Sequence, residues 1–346
     1  MTRRIAVLGA GAIGSSAGAD LTRAGHDVTL VDQWPAHVEA MRASGLRVAI
    51  KGGEEFHVPV RALHLCDLAS ARLEFDIVLL ASKSNDARWL AEFIRPYLAA
   101  DGVVVGLQNG MNDDAIASIV GRERTVGCVV ELQAELFTPG LIQRNTTHAG
   151  TWFAVGELDG AYTPRIREIE GLMRHVGRCD VTNNIYGAKW TKLIANTMTM
   201  GPFGLLGLRN FEAAALPGMF EISVALGRES LAVGTALGYR IEPIFGLRAD
   251  EFAGSSDENL VTAMKTLLGH VGGGRTAPIH DHLKGRTSEM EFIPGVVSRK
   301  GRELGIATPA NDAVVTLDRM INRGELAMDP SNFDRLKSLL AVPRGN

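Results

Sequence analysis

The sequence predicts an α/β domain built on a parallel, doubly wound sheet, followed by an all-α domain. Three observations carry this. Short β-branched runs alternate with amphipathic stretches over the first 180 residues, the pattern of a parallel sheet with crossover helices. Strand-like runs then stop, and long helical periodicities take over. A glycine-rich turn joins the first strand-like run to the first helical one.

Residues 5–8 read as a short buried strand and 12–24 as a helix closed by Gly25; 27–31 read as a second strand. Two more buried-type strands are expected at 75–81 and 103–107, with a helix at 85–98 between them. Residues 126–130 and 151–155 would extend the sheet. Beyond 180, helices are expected at 185–200, 219–237, 259–270, 289–304 and 311–322. The expected division is therefore 1–180 and 181–346.

Composition narrows the class. Of 346 residues, 46% are apolar and 22% charged, which argues against disorder and coiled coil and leaves enough apolar surface for a large core. The net charge of −3 and the lack of a basic block argue against a nucleic-acid partner. Cys66, Cys128 and Cys179 are odd in number and far apart, so neither a disulfide framework nor a zinc site is expected. The nine histidines form no metal-binding pair at helical spacing, and no metal is expected. The N-terminal apolar run is too short for a signal peptide, and no stretch reaches the roughly 20 apolar residues of a membrane span. A cytoplasmic protein is the expectation. The helical half has enough apolar surface for a homodimer, although no seam is legible.

Gly9-Ala10-Gly11-Ala12-Ile13-Gly14 follows a strand and opens a helix, the context in which G-x-G-x-x-G binds a dinucleotide. Gly9 permits the tight turn, Gly11 lets the backbone approach a pyrophosphate, and Gly14 lets helix and sheet pack closely. Helix N-terminal N–H groups attract the phosphates. Asp32, 18 residues after Gly14, ends the second strand, where an acid accepts hydrogen bonds from ribose hydroxyls and repels a 2′-phosphate. This favours NAD over NADP, with nearby Arg42 keeping NADP open. A Rossmann domain is thus expected at the N-terminus. Its ligand would lie outside the carboxyl ends of the strands, in a cleft facing the helical domain.

On the first helix of the second half, Lys192 and Asn196 stand four residues apart and share a face. A lysine buried on an apolar helix has a lowered pKa, which suits proton transfer near neutral pH. A solvated helix lysine is the commoner arrangement, and Lys189, one turn earlier, competes for the role.

Four features together resemble the ketopantoate reductase (2-dehydropantoate 2-reductase) family. They are the N-terminal glycine motif, Gln108-Asn109-Gly110-Met111, Trp190-x-Lys192-Leu-x-x-Asn196, and Gly285-Arg-Thr-Ser-Glu289-Met-Glu-Phe. Their order and spacing agree over nearly the whole chain. The resemblance implies hydride transfer between a nicotinamide cofactor and a 2-oxo acid/2-hydroxy acid pair. It implies Lys192 as the general acid, and Glu289 as the acid that holds that lysine and the nicotinamide ribose. Asn109 is implied to touch cofactor and substrate, Lys83 to lie near the cofactor, and Asn196 and Asn210 to be substrate-side amides. Each has a plainer reading: Lys83 as a loop cap, Asn109-Gly110 as a turn, Glu289 as an acid at a helix N-terminus. Two departures mark a divergent member. Met200 stands where the family has a second Asn, and Ala277 where it has a Ser ahead of Asp281. Both changes remove partners for a polar substrate and point to a bulkier or more apolar oxo acid. Ketopantoate reduction itself, a non-catalytic dinucleotide sensor, and an opine-type or 3-hydroxy acid dehydrogenase are the alternatives.

Overall fold

The computed structural model describes residues 3–244, 257–271 and 273–341. The chain forms two compact units, Met1–Gln108 with Asn112–Ile185, and Asn109–Met111 with Tyr186–Asn346.

In the first unit β1 (Arg4–Leu8), α1 (Ala12–Arg23), β2 (Asp27–Asp32), α2 (Pro35–Ser44), β3 (Leu46–Ile50), β4 (Glu55–Val58), β5 (Arg61–His64) and α3 (Leu65–Ser70) lead into β6 (Phe75–Leu80) and α4 (Ser84–Ile94). There follow β7 (Leu98–Gly106), α5 (Asp113–Val120), β8 (Thr125–Glu131), β9 (Ala134–Thr138), β10 (Leu141–Arg144), β11 (Trp152–Glu157), α6 (Pro164–Met173) and β12 (Arg178–Val181).

The described residues make an eight-stranded sheet in the order β12-β11-β8-β7-β6-β1-β2-β5. The run from β5 to β8 is parallel throughout, as the alternation predicted, whereas β11 returns antiparallel to β8. Parallel strands with helices on both faces are buried on both sides. Accordingly Ile5 and Val7 of β1 join one core, and Ala6 and Leu8 the other. Strand order reverses at β1, which lies between β2 and β6, so the first β–α turn opens at the topological switch point.

A second, four-stranded sheet, β4-β3-β10-β9, was not anticipated. Its strands are four or five residues long and half-exposed, so their apolar signal is weak. α1 packs against β1 and β2 on one side and against β3, β9 and β10 on the other. Its small residues, Ser15, Ser16, Ala17, Gly18 and Ala19, are all buried. Across this contact Arg144 of β10, itself buried, forms an ion pair with Asp20 of α1 and donates to the Val176 carbonyl at 2.7 Å.

The second unit is helical. It contains α7 (Ile185–Gly204), α8 (Asn210–Ala214) and α9 (Met219–Ala236), then helices Asp257–Val271, Ala277–Leu283, Pro294–Leu304, Pro309–Asn322 and Asn332–Ala341. Helices Asp257–Val271, Pro294–Leu304 and Pro309–Asn322 all pack on α9. α7 lies on α9 by lodging large side chains over glycines. A Cβ at Gly227 would stand 2.7 Å from Met198 Sδ, and one at Gly234 would stand 2.0 Å from Trp190 Nε1. Trp190 Nε1 donates to the Ser230 carbonyl of α9 at 2.9 Å. Glu229 of α9 caps helix Pro309–Asn322, accepting from Ala310 N at 2.8 Å and Asn311 N at 3.0 Å.

The expected helix at 289–304 is two elements, a 3-10 turn Met290–Phe292 and the helix Pro294–Leu304. Ile293, at φ −119° and ψ −92°, breaks them, because the Pro294 ring excludes the α conformation from the residue before it. The expected helix at 85–98 likewise stops at Ile94, giving way to the 3-10 turn Arg95–Tyr97 around Pro96. No helix among the described residues is long and apolar enough to cross a membrane.

Gly234→Ala tests the α7–α9 contact. Helix propensity favours alanine by about 1 kcal/mol, but overpacking against Trp190 costs about 1–3 kcal/mol. Urea unfolding should show a net loss of stability. An unchanged or raised midpoint would refute the contact.

Candidate active site

The first unit presents the glycine turn at the carboxyl end of β1. Gly9 has φ +90°, and a Cβ there would lie 2.6 Å from Ser82 N, just beyond β6. Only glycine combines that conformation with that approach. A Cβ on Gly14 would lie 2.2 Å from Gly9 O, which seats the start of α1 directly on the turn. At Gly11 nothing lies within 4 Å of the Cβ position. The first N–H groups of α1 receive no side-chain cap at Gly11. A glycine with open space above it, heading an uncapped helix, suits the close approach of an anionic group. Ala10 completes the turn, and Ala12 and Ile13 open α1.

Asp32 ends β2 and is buried, with its Oδ1 accepting the Trp34 N–H at 2.8 Å. Arg42 is occupied: it pairs with Asp67 and Glu39 and donates to the Ala62 carbonyl at 3.0 Å. Lys83 stands at the N-cap position of α4. Beside it, at the ends of β6 and β7, is a polar cluster that sequence reasoning missed. Gln108 Nε2 donates to the Leu80 carbonyl at 2.9 Å, and Asn112 Nδ2 to Ser84 Oγ at 3.0 Å. Only the fold brings these residues together, across 28 positions of sequence.

The second unit assembles the remaining candidates. Asn109–Met111 lie between β7 and α5 in the chain yet belong to the helical unit. Asn196 Nδ2 donates to Asn109 Oδ1 at 3.1 Å, joining two predicted site amides 87 residues apart. Gly110, at φ +78°, comes so close to Phe292 that a Cβ would stand 2.4 Å from its carbonyl oxygen. That contact lays the Asn109 loop against the turn that begins after Glu289. Glu289 is buried at the N-cap position of this turn. Asn210, also buried, opens α8 and is tied by its backbone N–H to the Gly274 carbonyl at 3.0 Å.

The segment before Glu289 is held by a buried cluster with no sequence signal. Ser288 Oγ lies 2.8 and 2.7 Å from the two Asp318 carboxylate oxygens, and Asn322 Nδ2 donates to Asp318 Oδ2 at 2.7 Å. His282 Nε2 lies 3.2 Å from Asp318 Oδ1, and Asn322 Oδ1 accepts the Ser288 N–H at 3.1 Å. Asp318 and Asn322, one turn apart on their helix, thus fix the residue next to Glu289.

Lys192, half-buried, lies one turn before Asn196 on α7, which also carries the buried Lys189. Desolvation pushes its ammonium pKa down to about 8. Among the described residues no cluster of three or more His, Cys, Asp or Glu side chains is placed to hold a metal.

The pattern of Ketopantoate reductase PanE/ApbA matches residues 5–159, and that of its C-terminal part matches 184–322. The chain belongs to the ketopantoate reductase family. It is an NAD(P)-dependent oxidoreductase of that family. The 2-dehydropantoate 2-reductase of Archaeoglobus fulgidus is 28% identical over 324 residues, covering 93% of this chain and 99% of that protein. The one from Mesorhizobium japonicum is 30% identical over 341 residues, covering 92% and 97%. A PanE/ApbA family ketopantoate reductase from Ralstonia eutropha JMP134 superposes with a TM-score of 0.79 at 26% identity, covering 93% of this chain and 99% of that one. D-mandelate dehydrogenase, solved with NADH and anilino(oxo)acetate, shares the fold with a TM-score of 0.80 at 20% identity and the same coverage.

The lowered Lys192 pKa has a consequence for stability. The unfolded chain keeps this proton up to about pH 10.4, whereas the folded chain releases it near 8. Folding therefore expels a proton between these values, and stability rises with pH through that window. Below it the partly desolvated ammonium is disfavoured in the folded chain relative to the unfolded one. Lys192→Met should be more stable than the parent at pH 7 by about 1–3 kcal/mol, and the gain should shrink toward pH 10. Urea unfolding at both pH values measures it; a less stable variant at pH 7 would contradict the desolvation of this charge.

Proposed function

We propose that this enzyme uses NAD(H) to interconvert a 2-oxo acid carrying an apolar substituent and the corresponding 2-hydroxy acid, with Lys192 as general acid and base. The observation that carries this is the position of Lys192, its pKa brought down to about 8, one turn from an Asn196 amide bonded to Asn109. A proton donor beside two fixed amides suits a carbonyl substrate that also bears a carboxylate.

The turn Gly9–Gly14 would hold the pyrophosphate, with Asp32 on the adenosine ribose. Bound there, the dinucleotide supplies or accepts the hydride. In reduction, Lys192 Nζ gives its proton to the oxygen of the substrate carbonyl; in oxidation, the neutral amine takes the hydroxyl proton. A pKa near 8 keeps both forms accessible close to neutrality. Asn109 and Asn196 orient the substrate, and Glu289, steadied by the Ser288–Asp318–Asn322 cluster, supplies the negative charge that positions the lysine. Lys83 and Asn210 serve cofactor and substrate respectively.

NAD is preferred over NADP on two grounds. The Asp32 carboxylate would meet a 2′-phosphate with like charge, and Arg42, the nearby cation, is already held by Asp67 and Glu39. The apolar substituent follows from α7. Lys192, Asn196 and Met200 recur every four residues on one helix face, so the polar stripe ends in a thioether. Ala277, at the start of its helix, adds no polar group.

A second reading, reduction of 2-dehydropantoate, is favoured by the activity named for the Archaeoglobus and Mesorhizobium relatives. A steady-state panel of 2-oxo acids, ketopantoate included, with NADH and NADPH separates the two. The proposal expects NADH-linked turnover of apolar oxo acids. It also expects Lys192→Ala to lower kcat by about 10²–10⁴-fold, the usual worth of a general acid. Fast ketopantoate turnover with NADPH would establish the second reading. NADH binding without turnover of any oxo acid would leave neither.

A further inference from the structure

We infer that His37 is a positioning residue for the cofactor pyrophosphate, acting through Ser15 on the Ala10–Gly11 peptide. The inference rests on the assignment of the glycine turn to a dinucleotide. None of the sequence motifs includes His37. It lies on α2, fully buried, five residues after Asp32.

Its hydrogen bonds fix its protonation. The Gly140 backbone N–H, from the turn between β9 and β10, donates to His37 Nδ1 at 3.0 Å. A backbone N–H can only donate, so Nδ1 carries no proton and the ring is neutral with its hydrogen on Nε2. Nε2 lies 3.0 Å from Ser15 Oγ and donates to it. Ser15 Oγ then directs its own hydrogen to the Ala10 carbonyl at 2.7 Å. The relay Gly140 → His37 → Ser15 → Ala10 is closed, every donor facing an acceptor. The Trp34 ring stacks on His37 with centroids 5.7 Å apart, and Trp34 N–H is bound by Asp32. One buried chain therefore runs from the four-stranded sheet to the middle of the glycine turn, alongside the ribose-binding acid.

The trans peptide gives this relay its effect. Within a planar trans unit the C=O and the following N–H point in opposite directions. Anchoring the Ala10 carbonyl on Ser15 turns the Gly11 N–H the opposite way, at a residue whose Cβ position meets nothing within 4 Å. The open approach and the aimed donor coincide at one residue. Without the relay the Ala10–Gly11 peptide can rotate, and the donor is no longer preset for an anion.

Calorimetric titration of the full chain with NADH and with ADP-ribose tests this. His37→Ala should weaken both about tenfold, the size of one to two lost hydrogen bonds. KM for the oxo acid at saturating cofactor should not change. His37→Gln separates positioning from folding. Its amide N–H can reach Ser15 in place of Nε2, while the bond from Gly140 is lost. It should therefore bind ADP-ribose within about threefold of the parent, yet melt at a lower temperature. A merely structural histidine would give His37→Gln and His37→Ala the same binding constants, or leave both at the parental value, and either result would overturn the proposal. Should His37→Ala fail to fold, Ser15→Ala, a substitution that suits a helix, keeps the Gly140–His37 bond and must still weaken ADP-ribose; parental affinity in that variant also overturns it. If the unmodified protein binds neither ligand, the dinucleotide assignment itself falls, and the proposal with it.

Discussion

The closeness with which α1 approaches the sheet governs the first unit. A side chain at Gly14 would run into Gly9 O, one at Gly18 into Leu30, and one at Gly9 into the backbone of Ser82. With hydrogens at those three positions, the helix start is driven onto the carboxyl end of β1, at the point where strand order reverses. The same small residues leave α1 slender enough to be covered on its outer side by a second sheet. That sheet contributes the Arg144–Asp20 ion pair and the Gly140 N–H that fixes His37. The geometry of this glycine turn is a consequence of packing as much as of motif. Glycine permits the approach, and the layers around α1 hold its first turn in place.

The second unit meets a different constraint, the presence of a lysine on an apolar helix. An ammonium partly withdrawn from water is disfavoured, and its proton is released more readily. A lowered pKa is the property on which the proposed proton transfer would draw. The other candidates of this unit are held by distant pieces: the Asn109 loop is joined to α7 through Asn196, Gly110 rests on the turn after Glu289, and the Asp318–Asn322 pair grips Ser288.

The fold class was legible because buried parallel strands and long helices leave strong periodic signals, and because G-x-G-x-x-G stood in its proper context. The four-stranded sheet was not, since strands such as β4 and β10 are four residues long and mostly lack a continuous apolar run. Pro294 could have warned that a helix would not run unbroken from Glu289 to Leu304, because a proline disfavours the α conformation in the residue before it. Of the candidate site, the glycine turn and the Lys192/Asn196 pair could be read from spacing alone. The bond between Asn109 and Asn196, the clamp on Ser288 and the His37 relay could not. Each joins residues that only the folded chain brings into register, and His37 looks in sequence like any other helix histidine.

The central claim, that a desolvated Lys192 handles the proton, is tested most directly by the pH dependence of kcat/KM in both directions. With the lysine as acid, reduction should fall as pH rises through about 8, where Lys192 loses its proton, and oxidation should rise through the same midpoint. Opposed limbs sharing that midpoint, both absent in Lys192→Ala, are the expected result. Flat profiles through this range, or limbs that survive unchanged in Lys192→Ala, would contradict the account.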